Sequence, residues 1–258
     1  MSDAILVHKE AGVLTLTFNR LDKKNAITTA MYTALAVALE EAAFDEAVRV
    51  AVIQGAVEVF TAGNDLADFL SNPPNTSGEG EPAPVVRFLN ILRVFPKPLL
   101  AAVAGPAVGI GTTLLLHCDL VYVGDNAAFS LPFVNLGLCP EAGASLLLPQ
   151  LVGYPRAAEK LLLGEAFYAE EALDMGLVNR ILPPNEVNGY AQAQAAKLAA
   201  KPAVSLLATK ALMKLPQTQL AGAMKEELKH FGNLLRGPAA KEAISAVMQK
   251  RKPDFSNL

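Results

Sequence analysis

Two glycine-bearing turns and one glutamate are the places where this sequence could do chemistry. The first turn is Phe60-Thr61-Ala62-Gly63-Asn64-Asp65-Leu66; the second runs from Val103-Ala104-Gly105 through Gly109-Ile110-Gly111 to Thr113. The second opens a helical stretch, where backbone N–H groups without intrahelical partners can cradle negative charge. The lysine of a P-loop is absent and the glycine spacing is not the dinucleotide fingerprint, so nucleotide cleavage and nicotinamide binding are weak readings. Either segment by itself reads as a tight turn. Glu141, in Leu136-Gly137-Leu138-Cys139-Pro140-Glu141-Ala142-Gly143-Ala144-Ser145, has the residue type of a general acid/base. A glutamate after proline is equally an exposed loop carboxylate, or the N-terminal acid of a helix predicted over 142–148.

Other reactive types carry less. His8, His117 and His230 lie far apart and form no metal-ligand spacing, so core packing is expected for all three. His117-Cys118-Asp119 are neighbours in sequence, and such residues on a helix do not face one another. Cys139 has no histidine nearby in sequence to activate it and reads as a small buried apolar residue.

The elements that must position these groups are legible from periodicity. Ile5–His8 and Val13–Phe18 alternate around Glu10-Ala11-Gly12 and predict a hairpin. Thr28 or Thr29 can cap a helix whose apolar face is Met31, Leu35, Leu39 and Ala42. Val48–Gln54, Leu99–Ala104 and Leu120–Val123 read as buried strands, Val85–Phe95 and Gly109–His117 as helical, and Ser71–Pro84 as a surface loop. Alternation of strands and helices to about Ile181 predicts an α/β class. Beyond Pro183-Pro184, helices are expected at Glu186–Ala200, Ala203–Lys214, Thr218–Leu235 and Ala239–Lys252, punctuated by Pro202, Pro216 and Gly237-Pro238. The division expected is an α/β core over 1–197 and a helical region over 198–258. That tail is either an association element or a set of helices on their own core.

Composition narrows the partners. The chain has 258 residues, 52% hydrophobic and 18% charged, as a globular protein with a large core does. A net charge of −3 argues against a nucleic-acid face, which needs clustered Lys/Arg. Two cysteines suggest a reducing compartment, the cytoplasm, without a disulfide framework. The N-terminus lacks the basic and apolar regions of a secretory signal, and the longest apolar run, Leu99–Leu116, is interrupted by glycines and a proline, so no membrane span is expected. Ser256-Asn257-Leu258 lacks the basic residue of a peroxisomal Ser-Lys-Leu address.

Taken together and in order, the two turns resemble the paired oxyanion-hole segments of the crotonase (enoyl-CoA hydratase/isomerase) superfamily. Matches run along nearly the whole chain: Asn19-Arg20 with Asn25-Ala26, Cys118-Asp119-Leu120, Asp174-Met175-Gly176-Leu177-Val178, and the basic tail Gln249–Phe255. The resemblance implies a spiral of repeated ββα units followed by a helical trimerisation region. It also implies an acyl-CoA thioester substrate, no cofactor or metal beyond the CoA carried by that substrate, a homotrimer or dimer of trimers, and a place in fatty-acid β-oxidation. By motif position the amides of Asn64 and Ile110 would hold the thioester oxyanion, with Gly63 and Gly109 allowing close backbone approach. Lys23, Lys24 and Lys250 resemble phosphate-contacting positions; the lysines are equally read as solvated surface charges. Ala26, Ala62, Asp65 and Leu66 resemble the adenine and pantetheine pocket, and Phe231 the tail aromatic that reaches it.

The carboxylates separate the reactions within that resemblance. Hydratases of the superfamily use two glutamates; the corresponding positions here are Thr113 and Phe133, neither of which can be a carboxylate base. Glu141 stands where hydratases have a small residue, which looks like the Δ3,Δ2-enoyl-CoA isomerase branch. That branch implies a single-glutamate proton shuttle, with Phe133, Leu136 and Leu138 expected as the apolar surround that raises the carboxyl pKa.

Overall fold

The structure, a computed structural model, describes residues 4–71, 81–214, 217–256 and 258. β1 (Ile5–Glu10) and β2 (Val13–Phe18) form the expected hairpin, closed by Ala11 and Gly12, both at positive φ. The Thr28 hydroxyl accepts from the Met31 amide and caps α1 (Thr29–Phe44), whose Met31, Leu35, Leu39 and Ala42 are buried. β3 (Val50–Gln54), α2 (Leu66–Ser71), α3 (Pro84–Val94), β4 (Leu99–Val103) and β5 (Pro106–Val108) follow. Most of the loop expected over 71–84 lies outside the described residues. The helix expected over 109–117 is a single α-turn, α4 (Ile110–Thr113), that tightens into a 3₁₀ turn at Leu114–His117, so its end dipole is that of a short segment.

β6 (Leu120–Gly124), β7 (Ala128–Ser130), α5 (Ala144–Val152), α6 (Tyr154–Leu163), β8 (Phe167–Tyr168), α7 (Ala169–Asp174) and β9 (Arg180–Leu182) complete the α/β part. α8 (Val187–Ala199), α9 (Ala203–Met213), α10 (Gln217–Leu235) and α11 (Pro238–Met248) follow. One sheet has the order β1-β2-β3-β4-β6-β9, parallel except for the hairpin; a smaller sheet pairs β5 with β7 and β7 with β8.

The central strands are apolar throughout because both faces are covered. Ala51 and Ile53 of β3, with Leu99, Ala101 and Val103 of β4, face the cluster that holds α1 and α3. Val50, Val52, Leu100 and Ala102 face Val187, Ala191 and Ala195 of α8 on the other side. α8 thus roofs the sheet. Across the large cluster, the C-terminal ends of β3 and β4 lead into the two glycine-bearing turns, and α10 lies against α5.

Candidate active site

The two turns are tied side by side by backbone bonds. The amides of Phe60 and Thr61 donate to the Pro106 carbonyl, and the Val108 amide donates to the Thr61 carbonyl at 3.0 Å. Gly63 sits at φ +87°, and a Cβ there would lie 2.9 Å from the Val108 carbonyl oxygen, so only glycine lets the segments approach this closely. The early loop is zipped to the same turn: Asn25 Nδ2 donates to the carbonyls of Val59 and Phe60, and the Ile27 amide donates to the Gly63 carbonyl. What remains are the amides of Asn64 and Ile110, neither of which donates to any described residue. The Asn64 side chain is held by the buried Tyr32, whose hydroxyl donates to Oδ1 at 2.5 Å. Burial first, and then the nearby Glu141 carboxylate, keep the Tyr32 phenol well above its ordinary range.

Glu141 stands on a loop clamped from two sides. Ala142 and Gly143 take the left-handed conformation (φ +62° and +75°), which for alanine costs about 1 kcal/mol and needs external support. His117 supplies part of it, its Nε2 lying 2.7 Å from the Ala142 carbonyl. Burial pushes the imidazole down to about 4, so at neutral pH it is uncharged, and Nε2 carries the proton that it donates. Glu227 of α10 supplies the rest: Oε2 accepts from the Gly143 amide at 2.6 Å, and Oε1 accepts from the Ser145 amide and hydroxyl at 2.8 and 2.5 Å. The Thr113 hydroxyl, fully buried, donates to Glu141 Oε1 at 2.7 Å. Burial pushes the Glu141 carboxyl up to about 7, the Thr113 bond opposes the rise, and the Glu227 charge adds to it.

Two cavities meet at this point. A cavity of ≈ 240 Å³ is lined by Glu141 and Asn64 together with Phe69, Val85, Leu89, Met224 and Leu228. A second, of ≈ 620 Å³, runs past Ala62, Gly63, Gly109, Ile110, Phe133 and Phe255. Asn64, Phe69 and Phe231 line both, and the two rings meet edge to face at 6.2 Å.

A model of the enoyl-CoA hydratase/isomerase family matches residues 8–257, nearly the whole chain. The chain belongs to the enoyl-CoA hydratase/isomerase family. It is 38% identical over 256 residues, 98% of its length, to enoyl-CoA delta isomerase 2 of Rattus norvegicus, and spans 65% of that longer protein. It is 37% identical to 2,3-dehydroadipyl-CoA hydratase of Escherichia coli, over 97% of this chain and 98% of that one. Among solved structures, Pseudomonas aeruginosa OdaA superposes with a TM-score of 0.91 at 48% identity, covering 96% and 99% of the two chains. The family makes the chain an enzyme of crotonase-type acyl-CoA chemistry, and the fold is the crotonase-like one.

Of the residues singled out in this hydratase/isomerase sequence, Glu141 and Asn64 share the smaller cavity, while Ile110, Gly109, Ala62, Leu66 and Phe133 share the larger. Phe231 joins the two. Asp65 turns away into structure, pairing with Arg20 at 2.7 Å and accepting from the Ala67 and Asp68 amides at the start of α2. The Ala26 carbonyl accepts from Arg20. Lys23 and Lys24 are exposed on the early loop, where the Lys24 carbonyl accepts from the Ala62 amide; Lys250 is exposed after α11.

Several expectations need correction. Phe133, Leu136 and Leu138 line the larger cavity, and the apolar residues that share a cavity with Glu141 come from α2, α3 and α10. His117 is buried as expected, but His8 and His230 are exposed: the edge strand β1 is exposed from Leu6 to Glu10, and His230 lies on an exposed stretch of α10. Cys139 is half-buried, with its thiol pushed up to about 11 mainly by burial, so it stays protonated. Three groups were missed by sequence reasoning. Tyr32 lies on the buried face of α1 next to Met31, a signal available in the periodicity; His117 was assigned to packing; Glu227, in a helix rich in Lys and Glu, carries no local mark at all.

Proposed function

We propose that the chain is a Δ3,Δ2-enoyl-CoA isomerase in which Glu141 is the single acid/base. The observation that carries this is a carboxyl poised at about 7 in a cavity that Asn64 also lines, with the amides of Asn64 and Ile110 unengaged among the described residues. With the thioester carbonyl at the amides of Asn64 and Ile110, the acyl chain lies in the smaller cavity and the pantetheine arm in the larger. Glu141 Oε1 is occupied by Thr113, which leaves Oε2 to take a proton from C2 of a 3-enoyl-CoA. The C2–H electron pair moves into the allylic system and the negative charge reaches the thioester oxygen, where each amide is worth about 3 kcal/mol to the dienolate. The protonated Glu141 then returns the proton at C4, giving the trans-2-enoyl-CoA. A group near 7 serves both steps, since base and conjugate acid are populated together at neutral pH.

Hydration is the competing reading, and the name of the Escherichia coli relative favours it. Against it, the hydratase carboxylate positions hold Thr113 and Phe133. The other carboxylate of the cavity, Glu227, spends both oxygens on the amides and hydroxyl of the 143–145 segment. Glu141→Gln tests the assignment: conversion of 3-enoyl-CoA should fall by about 10²–10⁴-fold with thioester binding retained, and an unimpaired variant overturns it. Faster water addition to trans-2-enoyl-CoA than isomerisation by the native enzyme would decide for the hydratase.

The helical region over 198–258 is also proposed to serve association as a trimer. Val204, Leu212 and Met213 of α9 are more than two-thirds exposed, an apolar surface suited to a neighbouring copy. A monomeric mass in solution would refute this.

A further inference from the structure

The smaller cavity is apolar along most of its wall, yet two cations enter it from facing helices. On α3 the cavity-lining residues Val85, Val86, Leu89, Asn90 and Arg93 recur at three- and four-residue steps, one face of the helix. On α10 the corresponding face includes Met224, Lys225 and Leu228, and ends at Phe231. With a rise of about 1.5 Å per residue, Lys225 stands ~9 Å along α10 from Phe231, where the two cavities join. By the same rise Arg93 lies ~12 Å along α3 from Val85.

Three of the other polar groups that line this cavity are engaged, and Asn90 of α3 is exposed. Asn64 is held by Tyr32, Glu141 by Thr113, and Glu227 by the Gly143 and Ser145 donors. Arg93 and Lys225 make no hydrogen bond or ion pair with any described residue, although Arg93 is half-buried. A half-buried guanidinium with no anion among the described residues is a standing cost, whereas a planar fork that shares a cavity with an ammonium suits a carboxylate. Arg93 also acts inward: its charge contributes, with Lys214 and Lys210, to keeping the buried His117 uncharged.

We propose that Arg93 and Lys225 recognise a carboxylate at the far end of the acyl chain, so that the preferred substrates are CoA monothioesters of dicarboxylic acids. The inference rests on the acyl-CoA reading of the smaller cavity but not on which reaction Glu141 performs. The test therefore uses saturated, unreactive thioesters. Six- and eight-carbon acyl-CoA compounds, with and without an ω-carboxylate, are titrated calorimetrically into the native enzyme, Arg93→Met and Lys225→Ala at about 0.15 M salt. The expected result is at least tenfold tighter binding of one carboxylated chain than of its neutral counterpart. That ratio should fall to about twofold or less in Arg93→Met and drop part-way in Lys225→Ala, an exposed position. Equal or weaker binding of the carboxylated chains, or a preference that both variants retain, overturns the proposal. If no thioester binds at all, the acyl-CoA reading of the cavity falls with it.

Discussion

Replacing Thr113 by valine removes one hydroxyl from a fully buried site without changing its volume. The hydroxyl donates to Glu141 Oε1 at 2.7 Å, and that bond favours the ionised carboxylate. A hydrogen bond to a charged group is worth about 1.5–3 kcal/mol, and 1.36 kcal/mol corresponds to one pKa unit, so the Glu141 carboxyl should move up by about one to two units. For the proposed isomerisation, kcat/KM with a 3-enoyl-CoA reports the free enzyme's base. In the native enzyme the acid limb should bend at about 7 and fall tenfold per unit below it. In Thr113→Val the limb shifts to higher pH by at least about one unit, making the variant roughly tenfold slower at a pH near 6, while the alkaline plateau is retained. A limb that stays in place, or moves down, would refute the idea that Thr113 tunes the reacting carboxylate.

Glu227→Gln should displace the same limb in the opposite direction, because the Glu227 charge raises the Glu141 carboxyl; a lowered rate with an unmoved limb would reduce Glu227 to a purely structural cap of α5. Glu141→Gln should also change stability with a definite sign. The folded-state carboxyl titrates at about 7 against a reference of 4.5, so the native fold loses stability as pH rises between those values. At 1.36 kcal/mol per unit the span is worth up to about 3 kcal/mol, less whatever the open side of the cavity returns by solvation. Urea unfolding should show the variant gaining 1–3 kcal/mol or so over the native chain at pH 8 and little at pH 4; a constant difference would argue against a perturbed Glu141.

Local pattern in the sequence was enough for the elements. The hairpin, the Thr28 cap, the buried strands and the four C-terminal helices depend on neighbours a few residues apart, and hydrophobic period and turn chemistry record those directly. The pairing of the two glycine turns was also legible, because an ordered set of motifs along the chain carries the resemblance even though residues 63 and 109 lie far apart. The candidate base, Glu141, was named from its place in a loop. Its protonation was not legible, since that depends on which groups desolvate and charge it. Those groups include Thr113 at the end of α4 and Glu227 of α10. The expected surround of Phe133, Leu136 and Leu138 was drawn from sequence proximity, whereas the wall beside Glu141 is built by α2, α3 and α10.

Residue types and their order along the chain thus determined the class of fold and singled out the candidate main-chain donors and the candidate loop acid. Tertiary structure alone decided what those groups face: that Thr113 touches the acid, that Glu227 and His117 clamp its loop, and that Arg93 and Lys225 enter its cavity. The physical reason is range. Secondary structure is set by interactions over a few residues, but desolvation and Coulomb fields act through space, and only the packed chain brings residue 227 against residue 143.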